Sequence, residues 1–244
     1  MDRFRNTAQP DRDWWTALWS DPEGTLREVG IDGGTLADVA CGDGHFTLPA
    51  ANLTEYVYAV DLDAELLGRL EGRLEKRDAG NVETIEGDAR ELPSLLPERV
   101  DTVLLANTFH GVDDRTGFAA SVREALETDG RFAVVNWHDR PPEETTVLEE
   151  PRGPPAELRM TPDETIEAVE PASFETAETV ELDPYHYGVV FRRNGTGRVR
   201  RFRRSRSRRV RRPRRSHRAS SAARPADPGG LPALSSSPAA GPAS

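Results

Sequence analysis

The sequence predicts an α/β fold: a doubly wound, seven-stranded, mostly parallel sheet with a C-terminal antiparallel hairpin, followed by a disordered tail. Three observations carry this. Between residues 35 and 137, short apolar runs alternate with helix-patterned segments, which implies parallel βαβ units. Residues 174–182 and 185–193 are strand-like runs separated only by Asp183 and Pro184, a connection short enough to force a hairpin. Beyond residue 193 apolar periodicity nearly vanishes, so the remaining chain cannot bury enough surface to offset its ordering entropy.

The elements follow in order. TLADVA (35–40) is a short apolar strand, and HFTLPAANL after it opens a helix that Pro49 limits to a first turn or kinks. YVYAVD (56–61) is a second strand of β-branched and aromatic residues. AELLGRLEGRLEKR (64–77) places Leu66, Leu67, Leu70 and Leu74 on one helical face. VETIEGD (82–88) is a third strand, and RVDTVLLANTF (99–109) a fourth, the most apolar. GFAASVREALE (117–127) is an amphipathic helix with Gly130 as its stop, and RFAVVNW (131–137) the fifth strand. Residues 138–160, with five prolines, read as a long loop. TPDETIEAVE (161–170) opens a helix with Thr161 as N-cap, Pro162 at the first position and Glu164 at the third, a capping box.

Charge divides the chain. Residues 1–191 hold 41 acids against 15 Arg and Lys76, a net of −25, while residues 192–244 hold 16 Arg and one acid, a net of +15. Acid excess with almost no Lys predicts a protein adapted to concentrated salt, which screens self-repulsion. Cys41 is the lone cysteine, so an internal disulfide framework and a Cys-cluster metal site are excluded, and no metal is expected. No apolar run reaches the roughly 18 residues a spanning helix needs, and the N-terminus lacks an apolar signal region; the expected location is the cytoplasm.

In an open α/β sheet the ligand lies at the carboxyl ends of the strands, where strand order reverses. Distinctive residues fall there. Asp38 is near the end of the first strand, and Gly42 and Gly44 follow, where the backbone can turn sharply toward a ligand. Asp61 ends the second strand, placed to accept two hydrogen bonds from a ribose diol. Asp88 ends the third, able to accept from a purine amino group, and Asn107 ends the fourth with both a donor and an acceptor. Any one of these alone is an ordinary turn residue; four strand ends in succession point to a nucleoside ligand. A dinucleotide fingerprint needs a third glycine, but Thr47 stands there. An acid four residues before Gly42 repels a pyrophosphate and suits a cationic amino group or sulfonium, favouring S-adenosylmethionine over NAD.

From about residue 24 to 193 the chain resembles the small, single-domain class I S-adenosylmethionine-dependent methyltransferases, which are Rossmann-like. DVACGDGHF resembles the family's first motif, AVDLD the second, EGDAREL the third and DTVLLANTFHGVDD the fourth, and the terminal hairpin matches its reversed last strand. The resemblance implies that Asp38, Cys41, Gly42 and Gly44 surround the methionine part of the cofactor. It implies that Asp61 binds the ribose hydroxyls with Leu62 packed on the adenine, that Asp88 and Ala89 meet the adenine edge, and that Asn107 lines the floor. Ala40 departs from the family's first glycine; its methyl is either accommodated at the turn or weakens cofactor binding. The chain is thus divided into an N-terminal helical segment (1–23), a class I methyltransferase domain (24–193) and the tail (194–244).

The resemblance leaves the methyl acceptor and the oligomeric state unidentified, with no membrane partner and with nucleic acid not expected for the core. A general base is needed only for an oxygen or protonated-nitrogen acceptor. His110, His138, Tyr185 and His186 are candidates, each matched by a plain packing role, so no catalytic residue is assigned. Trp14, Trp15 and Trp19 fit either a segment folded over the pocket or a helix packed on the sheet, and PRGPP (151–155) can line the acceptor side. The Arg-rich tail reads either as a nucleic-acid binder, which salt would weaken steeply, or as the product of a shifted reading frame. The alternative functions are a non-catalytic cofactor- or nucleic-acid-binding module and an NAD-binding protein.

Salt adaptation predicts that the melting temperature, followed by circular dichroism, falls as salt is dialysed from molar to millimolar concentration, because the Debye length then grows from about 3 Å toward tens of ångströms. A melting temperature indifferent to salt contradicts it.

Overall fold

The computed structural model describes residues 4–5 and 12–194, all within the unit Met1–Arg198. The disordered tail expected over 194–244 lies, apart from Asn194, outside the described residues. The chain runs α1 (Arg12–Leu18), α2 (Pro22–Glu28), β1 (Thr35–Val39), α3 (Thr47–Ala50), β2 (Tyr56–Asp61), α4 (Ala64–Arg77), β3 (Val82–Glu86), α5 (Leu92–Leu95) and β4 (Val100–Ala106). It continues through α6 (Arg115–Ala125), β5 (Leu126–Trp137), β6 (Thr146–Val147), β7 (Glu150–Pro151), α7 (Pro162–Val169), β8 (Phe174–Leu182) and β9 (His186–Arg193).

The main sheet has seven strands in the order β3-β2-β1-β4-β5-β9-β8, with β6 and β7 forming a separate two-stranded ribbon. β1 to β5 pair in parallel, whereas β9 runs antiparallel to both β5 and β8. The expected doubly wound sheet and closing hairpin are both present. Strand order reverses between β1 and β4, each of which pairs with the other while its onward neighbours lie on opposite sides. That reversal opens the crevice in which ligands of such sheets bind.

Side-chain alternation assigns the two faces. Ala37, Val39, Val103, Leu105, Phe132 and Val134 pack against Leu92, Phe118, Val122 and Val169 of the helices on one side. Leu36, Val57, Leu104, Ala133 and Val135 pack against Trp14, Leu18, Trp19 and Leu26 on the other. A strand buried on both faces reads as a continuous apolar run, which is what residues 103–106 of β4 and 132–135 of β5 show. All four leucines anticipated on α4 are buried, and Asp63 caps that helix by accepting from the Glu65 and Leu66 amides. The capping box at Thr161 and Glu164 is also formed.

Several boundaries shift. α6 ends at Ala125 rather than 127, so Gly130 is not its stop. Leu126 is already extended and pairs with Val100; the next pair is Thr102 with Arg131, so residues 127–130 bulge from a strand that begins five residues before the expected 131. Pro49 confines α3 to four residues, as its missing N–H requires. β3 ends at Glu86, which leaves Asp88 as the cap of a short 3-10 turn.

Candidate functional site

The parallel register of β1 and β2 sets Val39 beside Val60, so both strands end at one level of the sheet. Asp61 at the end of β2 thereby meets the turn that follows β1. Its Oδ2 accepts from the Gly42 amide at 2.8 Å and its Oδ1 from the Asp63 amide at 2.9 Å. Gly42 and Gly44 hold φ of 58° and 86°, which glycine adopts without penalty. α4 secures the same turn through Arg73, which donates to the Asp43 carbonyl at 2.6 Å and pairs with its carboxylate at 3.1 Å.

Asp38 lies beneath this turn, 2% exposed, and its Oδ2 accepts from Thr47 Oγ1 at 2.6 Å. Burial pushes its carboxyl up to about 7, against the Thr47 hydrogen bond that favours the anion and with help from the nearby Asp61 charge. Cys41 is buried between the same two acids; burial and then their charges raise its thiol well above the usual range, so it stays protonated. Thr47, at the place of a third glycine, is buried with its hydroxyl turned to Asp38. The sequence gave no sign of that pairing because nine residues separate the two.

Across the reversal point, Ala40 after β1 and Asn107 after β4 both sit at left-handed φ, 55° and 56°. The methyl of Ala40 is accommodated, in a conformation L-residues avoid. Asn107 anchors its backbone by donating to the Val135 carbonyl at 2.8 Å, yet both polar atoms of its buried side-chain amide lack a hydrogen-bond partner among the described residues. An orphaned amide at a sheet edge is costly unless something else satisfies it. Asp88 lies past β3, engaged by Arg90 through Nε at 2.9 and 3.0 Å and through a terminal nitrogen at 2.8 Å. Burial raises its pKa, but those bonds outweigh it and hold the carboxyl below the usual range. Ala89 beside it is buried and Leu62 half-buried. The structure therefore brings Asp38, Ala40, Cys41, Gly42, Gly44 and Asp61 into one turn, with Asn107 on the adjoining strand and Asp88 on the outer one.

The four candidate bases separate. His138 bonds Glu181 at 2.8 Å, Tyr185 donates to the Thr146 carbonyl at 2.9 Å, and His110 bonds Asn136 at 3.1 Å. His186 is fully buried between Trp19 and Trp137, with ring centroids 4.4 and 4.2 Å away. Burial, then the neighbouring His138, His110 and Arg159, press its pKa well below the usual value, so it is neutral. Trp14 and Trp19 pack on the sheet, while Trp15 stacks on His45, the residue after Gly44, at 5.3 Å. The PRGPP loop is held by buried Arg159, which donates to the carbonyls of Pro154, Arg140 and Arg152. The parts played by Thr47, Arg73 and Asn136 were missed by sequence reasoning; only Asn136, a polar residue within an apolar strand, left a legible signal.

A family model described as a methyltransferase domain matches residues 37–134. Over 99 residues, the sequence is 39% identical to a probable cobalt-precorrin-6B C(15)-methyltransferase (decarboxylating) of Methanothermobacter thermautotrophicus. That match covers 40% of this chain, which spans only 50% of the curated relative's length. The fold is similar to a crystal structure of a SAM dependent methyltransferase from Aquifex aeolicus, with TM-score 0.62 and 23% identity over 75% of this chain and 93% of that one. It is also similar to a putative type 11 methyltransferase from Sulfolobus solfataricus, with TM-score 0.55 and 25% identity over 75% and 98%.

Two outcomes follow from the turn. Asp38 holds its proton in the folded state up to about pH 7 but releases it near 3.8 when unfolded. Its stabilising contribution is therefore full below the lower value and is lost as pH rises through the upper one, at up to about 1.4 kcal/mol per pH unit. Asp38→Asn, which keeps an acceptor for Thr47, flattens that part of the urea-unfolding profile between about pH 4 and 7. Ala40→Gly relieves about 1–2 kcal/mol of left-handed strain against about 0.4–1 kcal/mol of added unfolded-state entropy. A net gain of up to about 1 kcal/mol in urea stability is expected.

Proposed function

We propose that this chain, whose residues 37–134 carry a methyltransferase domain of the class I, S-adenosylmethionine-dependent kind, binds that cofactor at the β1–β4 crevice and transfers its methyl group. The observation that carries this reading is the carboxylate of Asp61 fastened to the Gly42 amide, which presents an acid and an open backbone turn to one nucleoside. Each Asp61 oxygen accepts one protein bond and retains capacity for a ribose hydroxyl.

The residues present fit the cofactor. The orphaned Asn107 amide offers a donor and an acceptor at the crevice floor, and Gly42 and Gly44 let the backbone turn there at positive φ. Asp61 places negative charge beside Cys41, which suits a cationic ligand and repels a pyrophosphate. Thr47 with its hydroxyl on Asp38 fills the space a dinucleotide fingerprint keeps open. When bound, the cofactor supplies an activated methyl on a sulfonium. The chain's own part is to orient the nucleoside through Asp61, to hold the methionine moiety beside Asp38 and the glycine turn, and to exclude water with the apolar shell that includes Phe46 and Trp19.

High-salt operation belongs to the same reading. Edge strand β8 exposes Glu175, Glu178 and Glu181, a row of acids that salt screens and that also discourages strand pairing between molecules. Among the described residues no helix is long and apolar enough to cross a membrane.

Isothermal titration with S-adenosylmethionine in molar salt tests the assignment. Asp61→Ala removes two hydrogen bonds to a charged acceptor and should weaken binding at least about 100-fold, with Asp61→Asn intermediate. Unchanged affinity in Asp61→Ala rejects this placement.

A further inference from the structure

Resting on the cofactor reading above, we propose that the glycine turn is a proton-coupled cation site: the positively charged cofactor enters as Asp38 gives up a proton, so its affinity rises with pH. The site is the turn already described; the inference adds the exchange of charge that binding there requires.

Asp38 sits in β1, paired with Ala59 of β2 on one side and Leu104 of β4 on the other. It is 2% exposed, and its Oδ2 lies 2.6 Å from Thr47 Oγ1 of α3. That hydroxyl can donate to a carboxylate or accept from a carboxylic acid, so one contact serves both protonation states. Asp61 of β2 holds the turn above through the Gly42 and Asp63 amides. The turn itself brings the buried Cys41 thiol, Asp43 and His45, of which Asp43 is paired with Arg73 of α4 and His45 stacks on Trp15. The rest of the surroundings is apolar. Leu48, Leu67 and Leu70 pack with Cys41 and Ala59, and Leu70 fills the place a side chain on Gly44 would take. Among the described residues, neither Asp38 nor Asp61 is ion-paired with a cationic side chain.

A buried carboxyl with no cation beside it keeps its proton, and a second acid nearby adds to that preference. Burial, opposed by the Thr47 bond and aided by the Asp61 charge, accordingly brings Asp38 to about 7. Below that pH the ligand-free turn holds Asp38 neutral. A cationic ligand reverses the balance, because its charge acts through apolar surroundings that screen it weakly, even in concentrated salt. The proton leaves to solvent, and the carboxylate is retained on the hydrogen bond that Thr47 then donates. Below the Asp38 value one proton leaves for each ligand bound; well above it none does. Affinity therefore climbs by up to about tenfold per pH unit and flattens above about pH 7. Loss of a proton from His45 would give the same sign, so the test has to separate the two.

The test uses the full chain labelled with 13C at the aspartate carboxyl carbons, in molar salt. Carboxyl spectra are recorded across pH 5 to 8, ligand-free and saturated with S-adenosylmethionine, and Asp38→Asn assigns the signal by its loss. Calorimetric titration with the same ligand, in buffers of different ionisation enthalpy, counts the protons released. The expected result is an Asp38 signal of the acid form at pH 6 without ligand and of the carboxylate form with it. Release should be about one proton at pH 6, falling to about half of one near pH 7, and should persist in His45→Gln. An Asp38 signal that the bound ligand leaves unchanged, or a release that vanishes in His45→Gln, overturns the coupling while the cofactor site stands. Failure of S-adenosylmethionine to bind at any pH removes the cofactor site and the coupling with it. If Asp38→Asn does not fold, Thr47→Val, which strips the hydrogen bond, identifies the signal by its shift.

Discussion

The hydrogen bond from the Gly42 amide to the Asp61 carboxylate is the constraint on which the rest of the site depends. It exists because β1 and β2 are parallel and in a register that ends both strands together. It fastens an irregular turn to a regular sheet, so a loop gains the positional precision of a strand. Arg73 secures the far side of the same turn from α4, whose leucine face is buried beneath it. Loosening the carboxylate would free the glycines, and the backbone that faces the crevice would lose its fixed shape.

That precision concentrates unfavourable terms in one place. Two acids and a buried thiol share a small volume, and burial together with the Asp61 charge makes Asp38 harder to ionise. Ala40 and Asn107 flank the reversal point in a backbone conformation that costs free energy. The Asn107 amide is buried without a hydrogen-bond partner among the described residues. A core designed only for stability would carry none of them.

The two faces of the sheet contribute differently. One is walled by Trp14, Trp19, Phe46 and Trp137, with the neutral His186 between the rings and Arg159 holding the Pro-rich loop above Trp137. The other carries the Asn136–Tyr187–Thr165 chain through an aliphatic and phenylalanine core.

By itself the sequence determined the class of sheet, its strands and most of its helices, because each rests on local periodicity and on turn residues a few positions apart. It also determined that the chain closes in a hairpin at one edge, whereas the order β5-β9-β8, with β9 inside, came from the tertiary structure. The residues at the four strand ends were legible for the same reason, since a strand end is a local feature. The end of α6 was misread because Gly130 reads as a helix stop, whereas the pairing of Leu126 with Val100 across the sheet decides it. Only the tertiary structure decided that Thr47 meets Asp38, that Trp15 stacks on His45, and that Asn136 stands between His110 and Tyr187. Those partners lie 9 to 51 residues apart, and no local pattern encodes a bond made by strand order and register.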